Sequence, residues 1–131
     1  MPDNQKENIK KRGVVFVVED DLLLVKAYQA KLEKEGLEVW IATDGKEAIE
    51  YVSKDPPNVV LLDLMLPVMS GYDVLAEFRK NEKWKNVPVL ILTNLSQPAD
   101  INKGKALGID EYIMKSGMKI ADIVKKLEKY F

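Results

Sequence analysis

Cysteine and histidine are both absent from the 131 residues, and the two absences remove much of enzyme chemistry. Without Cys there is no disulfide, no thiolate metal site and no cysteine nucleophile. Without His there is no Ser-His-Asp relay, no His-ligated zinc and no phosphohistidine carrier. No apolar stretch approaches ~18 residues, so no membrane span is expected. Net charge is lacking too, at −1 with the signs interspersed, which gives no ground for a nucleic-acid or membrane partner. The polar, mixed-charge start, residues 1–8, is unlike a signal peptide, so a cytoplasmic protein is expected. What is present suits a soluble domain with one real core: 47% hydrophobic and 31% charged residues in a chain of single-domain length.

Residues 1–11 are polar without periodicity and are expected to form a disordered tail, leaving 12–131 as the domain. From there, short apolar runs alternate with helical patterns about five times. Leu24, Val25, Tyr28 and Leu32 form one helical stripe that stops near Gly36. The run 37–42 alternates in part, as an edge strand does. Asp44 is placed to cap a helix carrying Ala48, Ile49 and Val52, which Asp55-Pro56-Pro57 ends. Gly71 precedes a helix with Val74, Leu75 and Phe78 inward. The last helix shows Ile120, Ile123, Val124, Leu127 and Phe131 on one stripe. A fourth helix, around 99–107, is thinly apolar (Ile101, Ala106, Leu107), and Gly104 within it costs about 1 kcal/mol relative to Ala. Weakly held elements are the ones that can move, although a marginal surface helix would look the same. Alternating β and α units with continuously apolar strands argue for a parallel sheet covered by helices.

Four of the apolar runs end in a residue suited to phosphoryl transfer. Val14–Val18 runs into Glu19-Asp20-Asp21, and Val59–Leu62 into Asp63. The run 87–92 ends in Thr93, and 112–114 in Lys115. In parallel strands these groups share one sheet edge, the carboxyl edge at which open α/β folds bind ligands. Two carboxylates ~4 Å apart repel by ~4 kcal/mol at an effective dielectric of 20. A divalent cation removes that repulsion, and hard oxygen ligands favour Mg²⁺. Asp63 could then act as nucleophile, with Thr93 donating to a phosphoryl oxygen and Lys115 pairing with it. Each residue has a plainer reading. Acidic residues after a strand often only cap the next helix, the preferred reading for Asp20 or Asp21 alone; Asp63 could merely begin a loop, Thr93 could turn locally, and Lys115 could be solvated. It is their coincidence at four strand ends that points to chemistry.

Those blocks, 17–21, 61–71, 91–93 and 112–115, resemble the signature segments of response-regulator receiver domains, over residues 13 to about 131. The resemblance implies a flavodoxin-like (βα)5 doubly wound sheet with strand order 2-1-3-4-5, an order long associated with this family. It implies Asp63 as phosphoacceptor, and Glu19, Asp20, Asp63 and the Met65 carbonyl as Mg²⁺ ligands. It further implies Thr93 as switch hydroxyl, Tyr112 as the aromatic switch partner and Lys115 as the phosphate-pairing lysine. Such domains take phosphoryl from a sensor histidine kinase or phosphotransfer protein, or slowly from acetyl phosphate. They are phosphoacceptors rather than turnover enzymes. They then rearrange the face made by the fourth helix, fifth strand and fifth helix toward a downstream protein partner, an output domain or a homodimer partner. Pro67 and Gly71 look structural. The chain ends at Phe131, just after the last helix, which leaves a stand-alone regulator and a piece of a longer protein both open.

This chain departs from the family pattern at two places. Lys115 is normally followed by Pro through a cis peptide, whereas Ser116 follows it in this chain. A non-proline cis bond costs ~3 kcal/mol, so a trans loop is expected, and with it a question about the reach of Lys115. After the switch hydroxyl a small residue is usual, and this chain has Asn94, which could narrow the approach to Asp63 or hydrogen-bond near the phosphoryl group. Met65 and Leu95 offer nothing to orient an attacking water, so slow autodephosphorylation is expected. A haloacid-dehalogenase-type phosphatase would need a second Asp where Met65 stands. A flavodoxin would need a Gly- and hydroxyl-rich first loop. The serious rival is a receiver fold that serves as a phosphorylation-independent interaction module.

Overall fold

The apolar runs become a single five-stranded parallel sheet in the order β2-β1-β3-β4-β5. The computed structural model describes residues 13–131; the tail expected at 1–11 lies outside the described residues. Strands β1 (Val14–Val18), β2 (Glu38–Ala42), β3 (Val59–Leu62), β4 (Val89–Thr93) and β5 (Glu111–Met114) alternate with helices α1 (Leu22–Lys34), α2 (Gly45–Glu50), α3 (Gly71–Lys80), α4 (Pro98–Ala106) and α5 (Ile120–Leu127). This is the parallel sheet covered by helices expected from the pattern, in the flavodoxin-like (βα)5 order that the resemblance implies. β2 lies at the sheet edge, in keeping with its partial alternation, and β1, β3 and β4 are buried almost throughout. Among the described residues no helix is long and apolar enough to cross a membrane.

Alternation along the strands divides the core in two, because successive side chains point to opposite faces. Phe16, Val18, Val60, Leu62, Val89 and Ile91 pack with Ala48 of α2 and Val74, Leu75 and Phe78 of α3. Val15, Val17, Leu61, Leu90 and Leu92 pack on the other face with Tyr28 and Leu32 of α1 and Ile123, Val124 and Leu127 of α5. The helix starts are capped as the sequence indicates. Asp21 accepts from the backbone of Leu23 and Leu24, and Asp44 accepts from Glu47 N at 2.7 Å. For Asp21 the plain capping role is therefore the observed one.

α4 differs from its expected stripe. Ala106 is exposed, Ile101 and Leu107 are only half-buried, and the one fully buried residue of the helix is Gly104. A Cβ at Gly104 would lie 3.1 Å from Ile91 Cδ1 and 3.3 Å from Ile109 Cδ1. The glycine is a contact surface that lets α4 lie against the sheet. Polar bonds from α3 hold the helix further: the Tyr72 hydroxyl donates to the Asp100 carbonyl at 2.9 Å near its start. Past its end, Arg79 donates from Nε to the Leu107 carbonyl (3.0 Å) and from its terminal nitrogens to the carbonyls of Gly108 (2.8 Å) and Val87 (2.9 Å).

One backbone position is strained. Val68, in the loop after β3, has φ +70° and is 78% exposed. The left-handed region costs an L-residue about 1–2 kcal/mol, and a β-branched side chain does not relieve it. Val68→Gly is expected to raise the urea-unfolding free energy by about 1 kcal/mol, the strain released less the entropy glycine adds to the unfolded chain; an unchanged or lower midpoint would show that the loop holds no such strain.

Candidate functional site at the carboxyl edge of the sheet

The strand register brings the functional residues together. Val18 pairs with Ala42 and Leu62, Leu62 with Ile91, and Thr93 with Met114. The backbone pairing then continues past the strand ends. Glu19 N donates to the Ala42 carbonyl (3.0 Å), Asp63 N to the Val18 carbonyl (3.0 Å), and Lys115 N to the Thr93 carbonyl (2.8 Å). Each of these three residues thus has its main chain held by the neighbouring strand before its side chain does anything.

Glu19, Asp63 and Thr93 are the buried polar and charged side chains of the described residues, at 3%, 5% and 0% exposure. Lys115 Nζ lies 2.5 Å from Glu19 Oε1 and 2.7 Å from Asp63 Oδ2. The second oxygen of each carboxylate is also occupied: Glu19 Oε2 accepts from Asp21 N (3.1 Å), and Asp63 Oδ1 from Met65 N (3.1 Å). Burial pushes the Glu19 carboxyl above its ordinary range and the nearby Asp63 adds to the effect, while the bonds to Lys115 and the Asp21 amide pull the other way. Burial works against the Lys115 ammonium, but bonding to Asp63 and Glu19 more than offsets it and lifts the group to about 12. Lys115 is therefore charged at any ordinary pH.

Asp20, unlike its neighbour Glu19, is exposed, yet it belongs to the same cluster. Carboxylate oxygens of Glu19, Asp20 and Asp63 lie within 4.8 Å of one another. Three hard oxygen donors on rigid backbone, one of them open to solvent, fit a Mg²⁺-type ion better than any softer metal. Met65 follows on the same loop with its side chain exposed, which leaves its backbone as the part that faces the site through the bond to Asp63. Gly71 is the structural residue it was expected to be. Its N–H donates to the Leu64 carbonyl (3.0 Å), and a Cβ there would overlap the Asp63 carbonyl oxygen and Leu64 Cα. The start of α3 is thereby pressed against the backbone of the central aspartate.

Thr93 is fully buried, with Oγ1 accepting from Leu95 N at 3.4 Å. Tyr112 reaches the same segment, its hydroxyl donating to the Leu95 carbonyl at 2.5 Å. The loop after Thr93 is thus the meeting point of both expected switch residues. No cis peptide occurs among the described residues, so Lys115–Ser116 is trans, as expected, and Lys115 reaches Asp63 nonetheless. Tyr28 was legible only as a core position on a helical stripe. It lies with Glu19 and Asp63 around a small pocket beneath the carboxylates, and burial pushes its phenol up to about 12.

The family and the fold are shared with known proteins. The family model described as "Response regulator receiver domain" matches residues 15–128. A probable transcriptional regulator ycf27 of Porphyridium aerugineum is 38% identical over 101 residues, covering 77% of this chain and 41% of that protein. The chain therefore spans about two fifths of the length of such relatives. Among solved structures, the chemotaxis response regulator CheY4 of Vibrio cholerae superposes with a TM-score of 0.81 at 27% identity, covering 90% of this chain and 98% of that one. The receiver domain of the sensor histidine kinase PA1611 of Pseudomonas aeruginosa, with magnesium coordinated in its active-site cleft, gives a TM-score of 0.79 at 25% identity, covering 90% and 96%.

Removing Lys115 would leave two nearly dry carboxylates without their cation. Lys115→Ala is expected to lower the unfolding free energy in EDTA by about 3 kcal/mol, the lower end of the range for a broken buried pair. Adding Asp63→Asn should recover much of that loss, because it removes one of the two stranded charges. Equal urea midpoints for wild type and Lys115→Ala would show that water already screens the pair.

Proposed function

The chain belongs to the response regulator receiver domains, and we propose that Asp63 is the phosphoacceptor through which it is switched. The observation that carries this reading is the meeting of Glu19, Asp20 and Asp63 oxygens within 4.8 Å, with the Lys115 ammonium on two of the three carboxylates. A carboxylate oxygen of Asp63 attacks the phosphorus of the donor. The new P–O bond forms as the bond from phosphorus to the leaving atom breaks, yielding an acyl phosphate on the protein. Glu19, Asp20, Asp63 and the Met65 carbonyl would hold Mg²⁺, which when bound supplies neutralising charge for the phosphoryl oxygens.

The protein's own groups do the rest. Lys115 pairs with the phosphoryl group, for which its bond to Asp63 already sets the direction. Thr93 turns its hydroxyl toward a phosphoryl oxygen, exchanging its contact with Leu95 N for a charge-assisted one. Because Tyr112 holds the carbonyl of that same Leu95, a displacement there is passed to β5 and α4. In this way a local charge change biases a two-state element. The face of α4, β5 and α5 then selects a downstream protein partner, an output domain or a second copy of the chain. The donor is a sensor histidine kinase or a phosphotransfer protein, and the reaction is a signalling step rather than substrate turnover.

Incubation with acetyl phosphate should add one phosphoryl group by intact mass, only when Mg²⁺ is present and not in Asp63→Asn. A folded wild type that takes up nothing from acetyl phosphate or from a histidine kinase would favour the phosphorylation-independent interaction module. Once formed, the adduct should be long-lived. Met65 is exposed and apolar, and Leu95 is half-buried, so neither side chain can orient an attacking water. Loss of the phosphoryl group within seconds after the donor is removed would contradict this.

A further inference from the structure

The two positions at which this chain departs from its family touch each other. Asn94 Oδ1 accepts from Ser116 N at 3.0 Å. This bond is one rung beyond the last backbone rung between the same two segments, in which Lys115 N donates to the Thr93 carbonyl at 2.8 Å. The Asn94 side chain thus extends the β4–β5 pairing past the end of both strands, standing in for a backbone carbonyl. The N–H of Lys115 and the N–H that follows it are both fixed, one by Thr93 and one by Asn94. Immediately afterwards the chain turns through Gly117, at φ +85° with nothing within 4 Å of where a Cβ would be. The Ser116 rung is the last restraint before that open turn. A proline at 116 would have no N–H to offer, so an asparagine at 94 would have nothing to hold there.

We propose that Asn94 is a positioning residue for Lys115, clamping the peptide after it so that its ammonium stays on Asp63. The inference rests on the reading in which Lys115 pairs with the phosphoryl group on Asp63. Asn94 and Ser116 are both exposed, so water can replace the bond at little cost in stability. What water cannot replace is direction. Lys115 reaches Asp63 through a long, flexible side chain, and its aim depends on where its Cα is held. Asn94 also adjoins Thr93 in the chain, so movement of the switch hydroxyl pulls on the peptide that carries the lysine.

The test is a double-mutant cycle of Asn94→Ala and a backbone amide-to-ester replacement at residue 116, which removes the donor without the cis tendency that a Lys–Pro bond would bring. Two readouts are taken on the 131-residue chain: the ¹H–¹⁵N signal of the Lys115 ammonium, assigned by its loss in Lys115→Arg, and the rate of phosphorylation by acetyl phosphate. Asn94→Ala is expected to broaden the ammonium signal and slow phosphorylation by about 2- to 10-fold, the span of one net hydrogen bond. In the ester background the same substitution should have no further effect on either readout. An unaltered signal and rate in Asn94→Ala, or an equal loss in both backgrounds, would overturn the proposal. The ammonium signal needs no phosphoryl transfer, so a wild type that accepts no phosphate would sink the functional reading while the cycle still judges this one.

Discussion

Two carboxylates with almost no access to water share a single ammonium, and the rest of the domain is arranged around keeping them there. Left unpaired, Glu19 and Asp63 would repel each other in a poorly screened setting, at a cost comparable to a good part of a small domain's stability. Lys115 offsets this, but only because five parallel strands deliver all three residues to one edge in register. The backbone bonds from Glu19 to Ala42, Asp63 to Val18 and Lys115 to Thr93 carry the order of the sheet into the site. The site is in effect the last row of the sheet, with side chains in place of a further strand.

This arrangement holds Asp63 from two sides. Oδ2 is bonded to the lysine and Oδ1 to the Met65 amide, so both oxygens of the proposed phosphoacceptor are already engaged. The exposed Asp20 is the member of the cluster that meets solvent, and so is the natural point of entry for an ion. Beneath them, Tyr28 and the apolar floor keep water out from below, which strengthens every charge interaction above.

Most of this was visible in the chain because strand ends are visible. Continuous apolar runs stop abruptly at Glu19, Asp63, Thr93 and Lys115, and parallel pairing turns those stops into a shared edge. Asp21 and Asp44 were readable as caps because capping is local. What escaped was whatever depends on two distant segments meeting. Asn94 and Ser116 each read as an isolated departure, and nothing in their 22-residue separation indicated a bond. Gly104 read as a weakness in α4, since a helical pattern cannot show that Ile91 and Ile109 lie against it. Ala106 was placed on the apolar stripe but faces solvent, because the helix meets the sheet through its glycine. Nothing in the sequence singles out Arg79, whose bonds to carbonyls beyond α4 needed the fold to become apparent.

The Arg79 cluster has a mechanical meaning. Its guanidinium gathers the carbonyls that follow α4 with that of Val87, which precedes β4; this is the end of the strand opposite Thr93. It pins helix and strand together far from the carboxylates, by several bonds that would all have to break at once. At the other end, the segment joining β4 to α4 is held by scattered contacts, from Tyr112 to the Leu95 carbonyl, from Leu95 N to Thr93 and from Ser116 N to Asn94, while Tyr72 bonds Asp100 in the first turn of the helix. The unit therefore has a fulcrum at one end and a working end at the other. A shift beside Asp63 would therefore meet least resistance at the start of α4 and most at Arg79, as a lever does between its free end and its pivot.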